Sequence, residues 1–205
     1  MSQIALPLAW PPAPADDAFL VTPSNAAAAR LLDRWATWPV RTALISGPRR
    51  SGRTLLARIF AAKTGAAVID GTEHVAEVDL FHAWNAAQGG RPLLLIADTP
   101  WSDWAISLPD LRSRLAATPF ARIEAPDDQL VRALLARLFD RRGVDARPDL
   151  LDWLAARIER SHLAIERTVD LLDQDAMERR RRLTIPLARA TLVQAGLLPG
   201  AMEEP

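Results

Sequence analysis

Eight residues, GPRRSGRT from Gly47 to Thr54, combine glycines, basic side chains and hydroxyls at a spacing suited to phosphate binding. They fit the pattern G-x-x-x-x-G-[K/R]-[S/T], directly after an apolar run that is typical of a strand and at the start of a helical one. In such a loop, backbone N–H groups converge on phosphate oxygens and the helix N-terminus adds partial positive charge. The pattern predicts a nucleotide site at Gly47, Ser51, Gly52, Arg53 and Thr54. The alternative is a basic strand–helix turn that binds nothing.

Two side chains of this loop would carry most of the chemistry. Thr54 would hold Mg²⁺ through its hydroxyl group. Arg53 stands where such loops usually have a lysine, the compact partner of the β- and γ-phosphates. Arginine keeps the charge but is bulkier and forked, so we expect it to hold phosphate while disturbing the geometry of cleavage. The sequence therefore predicts binding of a nucleotide more strongly than its hydrolysis.

A carboxylate follows the next apolar run, AAVID, at Asp70. At the carboxyl end of a strand it would share the Mg²⁺ with Thr54, as a Walker B aspartate does. A hydrolysing site of this kind usually has a second acid beside the first, and here that neighbour is Gly71, with Glu73 three residues after Asp70. The alternative is a plain D-G-T turn that ends the strand.

Asp98 and Thr99 follow the most hydrophobic run of the chain, LLLIA. If this run is a neighbouring parallel strand, its carboxyl end reaches the same edge of the sheet as the phosphate-binding loop. The two side chains could then contact a γ-phosphate. The alternative is that they cap the turn that begins at Pro100.

The stretch SLPDLRSRLA, residues 107–116, places Arg112 and Arg114 two positions apart at a predicted helix start. Residues at this spacing lie on different faces of a helix, so one can pair internally while the other projects. A projecting arginine can reach the γ-phosphate of a neighbouring molecule and stabilise transition-state charge. The alternative for either residue is a solvated surface charge.

The order of segments predicts two domains behind an N-terminal extension. Residues 1–18 hold a short apolar segment and a Pro-rich linker; the segment either docks on a partner or folds back on its own domain. Residues 19–126 alternate strand and helix patterns, which predicts a parallel sheet covered on both faces. Residues 127–200 hold four helical segments, which predicts a small all-α domain.

Composition excludes several classes of function. Net charge is zero, so no overall field attracts nucleic acid or acidic membranes. There are no cysteines, which excludes disulfides and thiolate metal sites and fits a reducing cytoplasm. Apolar runs are far shorter than the ~20 residues that span a bilayer, and the start lacks the features of a signal peptide. The three histidines show no metal-ligand spacing.

Taken together, the motifs resemble those of DnaA-related AAA+ proteins of the Hda type, along nearly the whole chain. QIALPL near the start is similar to the family's clamp-binding segment, which implies that Gln3, Leu6, Pro7 and Leu8 dock on the DNA polymerase sliding clamp. FLVTPSNAAAARLLDRW resembles the box that lines the adenine side of the nucleotide, and RRLTIPLARATL resembles the last lid helix. LPDLRSRL resembles box VII, whose final arginine is the finger; this corresponds to Arg114.

The resemblance implies a P-loop AAA+ α/β sandwich followed by an all-α lid, and a negative regulator of DNA replication initiation. Docked on the β-subunit clamp, such a protein stimulates ATP hydrolysis by DnaA through an arginine finger in trans. Its own site would hold ADP or ATP with Mg²⁺ weakly or not at all, without efficient ATPase activity. It would be cytoplasmic and bacterial, associated with the replisome through the clamp. It would contact no membrane and recognise no DNA sequence, because no helix-turn-helix domain follows the lid.

Three departures from the family bear on the nucleotide site. Arg53 replaces the P-loop lysine, and Leu163 falls where the lid's sensor II arginine is expected, with Arg160 and Arg167 nearby. A strand–helix unit that usually precedes the Walker B strand is absent before AAVID; either it is deleted, or AAVID is that earlier strand and Walker B is lost. Rival functions are a self-sufficient ATPase, an adaptor that binds DnaA or the clamp without nucleotide, and a recruitment factor that does not accelerate hydrolysis.

Overall fold

A computed structural model describes residues 18–179 and 181–199, with the backbone alone at Arg179. It divides the chain between Ala125 and Pro126 into two compact units. Each unit has its own hydrophobic core and is described by itself.

The first unit is built on a parallel sheet with the strand order β2-β3-β1-β4 in the described residues. The strands are β1 (Thr42–Ser46), β2 (Ala67–Asp70), β3 (Leu93–Ala97) and β4 (Phe120–Arg122). Every residue of the central strands β1 and β3 is buried, whereas β2 and β4 alternate between more and less buried positions. Near-continuous apolar runs therefore became the two strands that are covered on both faces.

The described helices of this unit lie on the two faces of the sheet: α1 (Ala26–Asp33), α2 (Arg53–Thr64), α3 (Glu77–Gly89) and α4 (Pro109–Ala117). On one face, Leu32 of α1 and Phe60 of α2 join a core with Ile45 of β1. On the other face, Leu80 of α3 and Leu111 of α4 pack in a second core. Successive strand residues point to opposite faces, so one apolar strand supplies both cores. The predicted α/β sandwich is confirmed.

Two elements are shorter than their sequence patterns. Residues 24–38 have apolar residues at helical spacing, but the helix ends at Asp33 and is followed by a 3₁₀ turn over Trp35–Thr37, where the Thr37 hydroxyl donates to the Arg34 carbonyl at 2.8 Å. The stretch ARIEAP, residues 121–126, has the pattern of a short strand, but the strand covers only Phe120–Arg122. The neighbouring strand β1 ends at Ser46. The Ser46 carbonyl accepts the Ile123 N–H, and the pairing of the two strands stops there.

The structure has no strand–helix unit between α2 and β2, in agreement with the short sequence between them. Helix α2 ends at Thr64 and β2 begins at Ala67, so no element lies between them. Strand β2 pairs directly with β3, from Ala67 opposite Leu93 to Asp70 opposite Ile96. Among the described residues β2 is thus an outer strand, with Val68 37% exposed at this edge of the sheet.

The second unit is all-helical in its described residues, as the sequence predicts. Its helices are α5 (Asp128–Arg141), α6 (Pro148–Ala155), α7 (His162–Arg179) and α8 (Ile185–Gln194). Asp127 caps α5, because its carboxylate accepts the Leu130 N–H at 2.8 Å. Apolar side chains from all four helices fill one core: Leu135, Phe139, Leu150, Leu154, Ile165, Val169, Ala188 and Leu192.

None of the helices in the described part of the chain combines the length and the apolar character needed to cross a membrane.

His162, the first residue of α7, gives the second unit a pH-dependent stability. Its ring is buried, its Nδ1 atom has no hydrogen-bond partner among the described residues, and burial lowers the pKa of His162 from its ordinary value of 6.5. The unfolded chain therefore binds a proton more readily than the folded one, so this unit loses stability as the pH falls through about 6.5. We expect hydrogen exchange in α7 to accelerate between about pH 7.5 and pH 5.5, after correction for the intrinsic rate. The variant His162→Gln should lose this dependence, whereas His82→Gln, at an exposed position, should keep it; equal profiles in all three proteins would contradict the assignment.

Candidate functional site

The loop between β1 and α2 follows a path that only small residues allow at two points. A Cβ atom on Gly47 would lie 2.8 Å from the Ile123 carbonyl oxygen and 2.9 Å from the Ile123 Cβ, closer than such atoms pack. Gly52 has φ +84°, in the left-handed region, and a Cβ there would lie 3.0 Å from the Phe19 ring. Arg50 also has a positive φ, 65°. The loop thus has the tight backbone that a phosphate cradle requires.

Thr54 and Asp70 lie together at the carboxyl end of the sheet. The Thr54 hydroxyl, on the first turn of α2, donates to Asp70 Oδ2 at 2.8 Å. A P-loop hydroxyl and a strand-end aspartate in contact are the pair that hold Mg²⁺ in P-loop proteins. Of the two alternatives left by the sequence, this contact supports Asp70 as the Walker B residue and the adjoining strand–helix unit as the part that is deleted.

Arg53 does not extend into solvent above the loop. Its two terminal nitrogens donate to the Ala97 carbonyl and to the Asp98 carboxylate, both at the end of β3. The side chain is only 9% exposed, whereas that of Asp98 is 44% exposed. The cation that would meet phosphate is therefore paired with a carboxylate of its own domain, a contact that the sequence did not predict.

The turn after β3 is held by further contacts. Glu73 Oε1 accepts the Asp98 backbone N–H at 2.6 Å, and the Arg49 guanidinium lies 3.8 Å from Asp98 Oδ2. Thr99 lies apart from this network, since its carbonyl and hydroxyl both accept the Trp104 indole N–H at 3.2 Å. The structure thus brings Asp98 to the phosphate-binding loop and gives Thr99 a partner in the following turn.

The residues present fit a nucleotide with Mg²⁺. Glycines line the loop where a Cβ would collide, and the hydroxyl of Ser51 is buried with no hydrogen-bond partner in the described residues. No cluster of three or more His, Asp or Glu side chains in that part of the chain could hold a metal alone. Mg²⁺ would thus rest on Thr54, Asp70 and phosphate oxygens, with the loop N–H groups on the phosphates.

Arg114 is on α4 and packs against the preceding helix, α3. Its Nε donates to Asn85 Oδ1 at 2.9 Å, and Nη1 donates to the Asp110 carbonyl at 3.2 Å. Its guanidinium carbon is 4.3 Å from the centre of the Phe81 ring and 5.4 Å from that of Trp84. None of the contacts recorded for Arg114 within the described residues is with a carboxylate. Its charge is held in place without being neutralised.

Arg112 has a different environment, on the exposed surface of α4. It donates to the carbonyl of Ile106, within the segment that leads into the helix. Glu77 fixes the same segment: its carboxylate accepts the N–H groups of Ser107 and Leu108 at 2.8 and 2.7 Å, and these hydrogen bonds lower the pKa of Glu77. Both arginines thus make contacts within the chain, and Arg114 is the more enclosed of the two.

The three residues of α3 that hold Arg114 were not singled out from the sequence. Phe81, Trp84 and Asn85 belong to the stretch FHAWN, whose pattern indicates a helix and nothing more. Their spacing of three and four places them on one helix face, as an aromatic and amide surface. The signal was therefore present, but nothing in the sequence shows that this surface faces α4.

Gln3, Leu6, Pro7 and Leu8, which were predicted to bind the clamp, lie outside the described residues.

Comparison with known proteins identifies the family of the lid and several solved structures of similar fold. Residues 127–192 match the family model described as "Hda, lid domain". The domain III crystal structure of the Thermotoga maritima initiator DnaA is 15% identical, with a TM-score of 0.73 over 93% of this chain and all of that one. A DnaA bound to AMPPCP and single-stranded DNA gives a TM-score of 0.60 at 16% identity, over 79% of this chain and 66% of that one. The RuvB branch migration motor of T. maritima gives 0.58 at 17%, over 83% and 66%. Residues 127–192 are therefore an Hda-type lid domain, and the chain has the fold of these DnaA and RuvB structures.

An uncharacterised Haemophilus influenzae protein is 32% identical to this chain over 116 residues. The match spans 56% of the chain and about half (49%) of that relative.

In the Hda-type lid domain, the position expected for the sensor II arginine is an exposed leucine. Leu163, near the start of α7, is 59% exposed. The nearby Arg160 pairs with Asp128 within the lid, at 2.7 Å. At this position the lid thus presents a neutral side chain.

Gly47 offers a test of the loop's packing. In the variant Gly47→Ala, the added methyl group would press on the backbone and side chain of Ile123, and overpacking of this kind typically costs about 1–3 kcal/mol. We expect the free energy of unfolding of the α/β unit to fall by about this amount in urea titrations. Gly89→Ala is the matched control, because a Cβ there meets open space at the end of α3. Equal stability of both variants would show that the loop adjusts without cost.

Proposed function

We propose that this protein is a negative regulator of DNA replication initiation. Docked on the β-subunit sliding clamp through Gln3, Leu6, Pro7 and Leu8, it would pack against ATP-bound DnaA. Arg114 would then enter the nucleotide site of DnaA and stabilise the charge that develops as ATP is hydrolysed. The product, ADP-bound DnaA, would be inactive for initiation. In this proposal the protein acts in the bacterial cytoplasm, at the replisome.

The environment of Arg114 is the observation that carries the proposal. An arginine acts on another molecule's phosphate only if its charge is not already compensated, and the contacts recorded for Arg114 are with an amide, a carbonyl and two aromatic rings. These neutral groups also restrict the side chain, so less conformational entropy is lost when it meets phosphate. The Hda-type lid supports DnaA as the partner.

The protein's own nucleotide site would be structural in this mechanism. ADP or ATP would bind at Gly47, Ser51, Gly52, Arg53 and Thr54, with Mg²⁺ on Thr54 and Asp70. The pairing of Arg53 with Asp98 supports weak binding and little hydrolysis in this site. The hydrolysis that matters would take place in DnaA.

The same ion pair favours a second candidate, an adaptor that binds DnaA or the clamp without any nucleotide. In that case Arg53 would be a permanent structural residue, and Arg114 would have no catalytic task. The two functions differ in one measurable property, because the adaptor would not accelerate ATP hydrolysis by DnaA.

The direct test compares two arginine variants of the same helix. We expect Arg114→Ala to reduce stimulated ATP hydrolysis by DnaA, measured with clamp loaded on DNA, to the rate of DnaA alone. Arginine fingers of other NTPases contribute on the order of 10³–10⁵ in rate, so one side chain can account for the whole effect. Arg112→Ala is the matched control, since it removes the same charge two residues away and should leave most of the stimulation.

Four results would decide against the assignment. Equal stimulation by both variants would exclude Arg114 as the finger, and selective loss in Arg112→Ala would transfer the role to Arg112. Loss of the interaction between Arg114→Ala and DnaA, measured by co-precipitation, would indicate a binding residue rather than a catalytic one. No stimulation by the unmodified protein would leave the adaptor as the better description.

The clamp-binding segment is tested separately. We expect a protein lacking residues 1–8 to lose co-elution with the sliding clamp in gel filtration, because Leu6 and Leu8 would supply the apolar anchors and Gln3 the polar one. A variant with alanine at Gln3, Leu6 and Leu8 should lose co-elution in the same way. This variant keeps the full length of the chain. Retention of the clamp by either protein would remove this segment as the tether.

A further inference from the structure

We propose that Asp98 is a built-in competitor of the nucleotide, because it holds the Arg53 guanidinium that a phosphate would otherwise bind. Nucleotide binding would then be an exchange of one anion for another at Arg53. The inference rests on the proposed nucleotide ligand and assigns Asp98 a role opposite to direct contact with a γ-phosphate.

The geometry of Arg53 shows how fully it is engaged. One terminal nitrogen donates to a main-chain carbonyl, that of Ala97, and the other to the carboxylate of Asp98. The side chain is 9% exposed, so this pair is only partly screened by water on the arginine side. A phosphate that approaches the loop must therefore displace the carboxylate or share the guanidinium with it.

The groups that Arg53 would release keep other partners. The Ala97 carbonyl also accepts the Gly47 N–H, at 3.3 Å. The Asp98 carboxylate retains Arg49 at 3.8 Å, on a side chain that is 89% exposed and can approach further. The exchange thus leaves no buried polar atom without a partner, which keeps its cost low.

Glu73 keeps the competitor in position. Its carboxylate accepts the backbone N–H of Asp98 at 2.6 Å, which fixes the turn at the end of β3 irrespective of where the Asp98 side chain points. Asp98 therefore stays beside the loop, ready to pair with Arg53 again when the ligand leaves. The affinity for nucleotide would depend on how much more strongly the Arg53 guanidinium binds phosphate than it binds the Asp98 carboxylate.

The experiment measures the affinity of the full-length protein for a fluorescent ADP with Mg²⁺. We expect Asp98→Asn to bind about three- to tenfold more tightly than the unmodified protein, because the competing charge is gone while the size of the side chain is kept. Asp103→Asn is the matched control, because it removes one carboxylate from the surface a few residues further on, where Asp103 contacts Ser102 rather than Arg53. Its affinity should be unchanged.

A double-variant cycle tests whether Asp98 acts through Arg53. In the Arg53→Ala variant, the further substitution Asp98→Asn should no longer tighten nucleotide binding. The guanidinium for which phosphate and the Asp98 carboxylate compete is then absent. Thermal unfolding without nucleotide gives an independent readout: Asp98→Asn should lower the melting temperature, and the two substitutions should be coupled there as well.

The outcomes separate this inference from the proposed function. Weaker binding by Asp98→Asn would overturn it and indicate that Asp98 serves the nucleotide directly. An equal gain with and without Arg53, or in Asp103→Asn, would reduce it to a general effect of charge. If neither the unmodified protein nor any variant binds the probe at millimolar concentration, the nucleotide site and this inference are both wrong. The proposed stimulation of DnaA by Arg114 does not depend on this result and is tested by the hydrolysis assay.

Discussion

Parallel pairing of β1 with β3 fixes the position of each group in the candidate nucleotide site. The register sets Ser46 opposite Ala97, so both strands end at the same level and the loop that starts at Gly47 lies beside Asp98. The same register continues into β2, where Asp70 lies opposite Ile96 and within reach of Thr54. Slipping a strand by one residue would exchange the side chains that face the two cores. The apolar packing on both faces therefore determines the chemistry at the edge.

The described part of the sheet shows which strands align the candidate site. No strand lies beyond β2 among the described residues, so β2 is an outer strand there and Val68 is partly exposed. The contact of Thr54 with Asp70 depends on β1, β3 and β2 alone. The carboxylate and the loop are therefore aligned without a further strand beside β2.

The sequence predicted the elements well and their partners poorly. Alternating apolar runs and helical periods were enough for the sandwich and the lid, because each pattern reports local geometry. The motif and the strand end were enough to anticipate that Thr54 and Asp70 lie together, while nucleotide binding there stays a prediction. The pairing of Arg53 with Asp98 could not be anticipated, since it joins residues far apart in the chain whose distance is set by sheet order. The surface of Phe81, Trp84 and Asn85 around Arg114 was missed for the same reason, because it requires α3 to pack beside α4.

The two arginines at the centre of the proposed mechanism differ in the charge of their partners. Arg53 is paired with a carboxylate, which lowers its attraction for any phosphate that enters its own domain. Arg114 is held by an amide, a carbonyl and aromatic rings, which orient it but leave its charge available. In the proposed mechanism, the charge of Arg53 is compensated and that of Arg114 is not. Such a domain is poorly suited to hydrolyse a nucleotide in its own site. It is well suited to lend a positive charge to a reaction elsewhere, because the work of orienting the guanidinium has been done before the partner arrives.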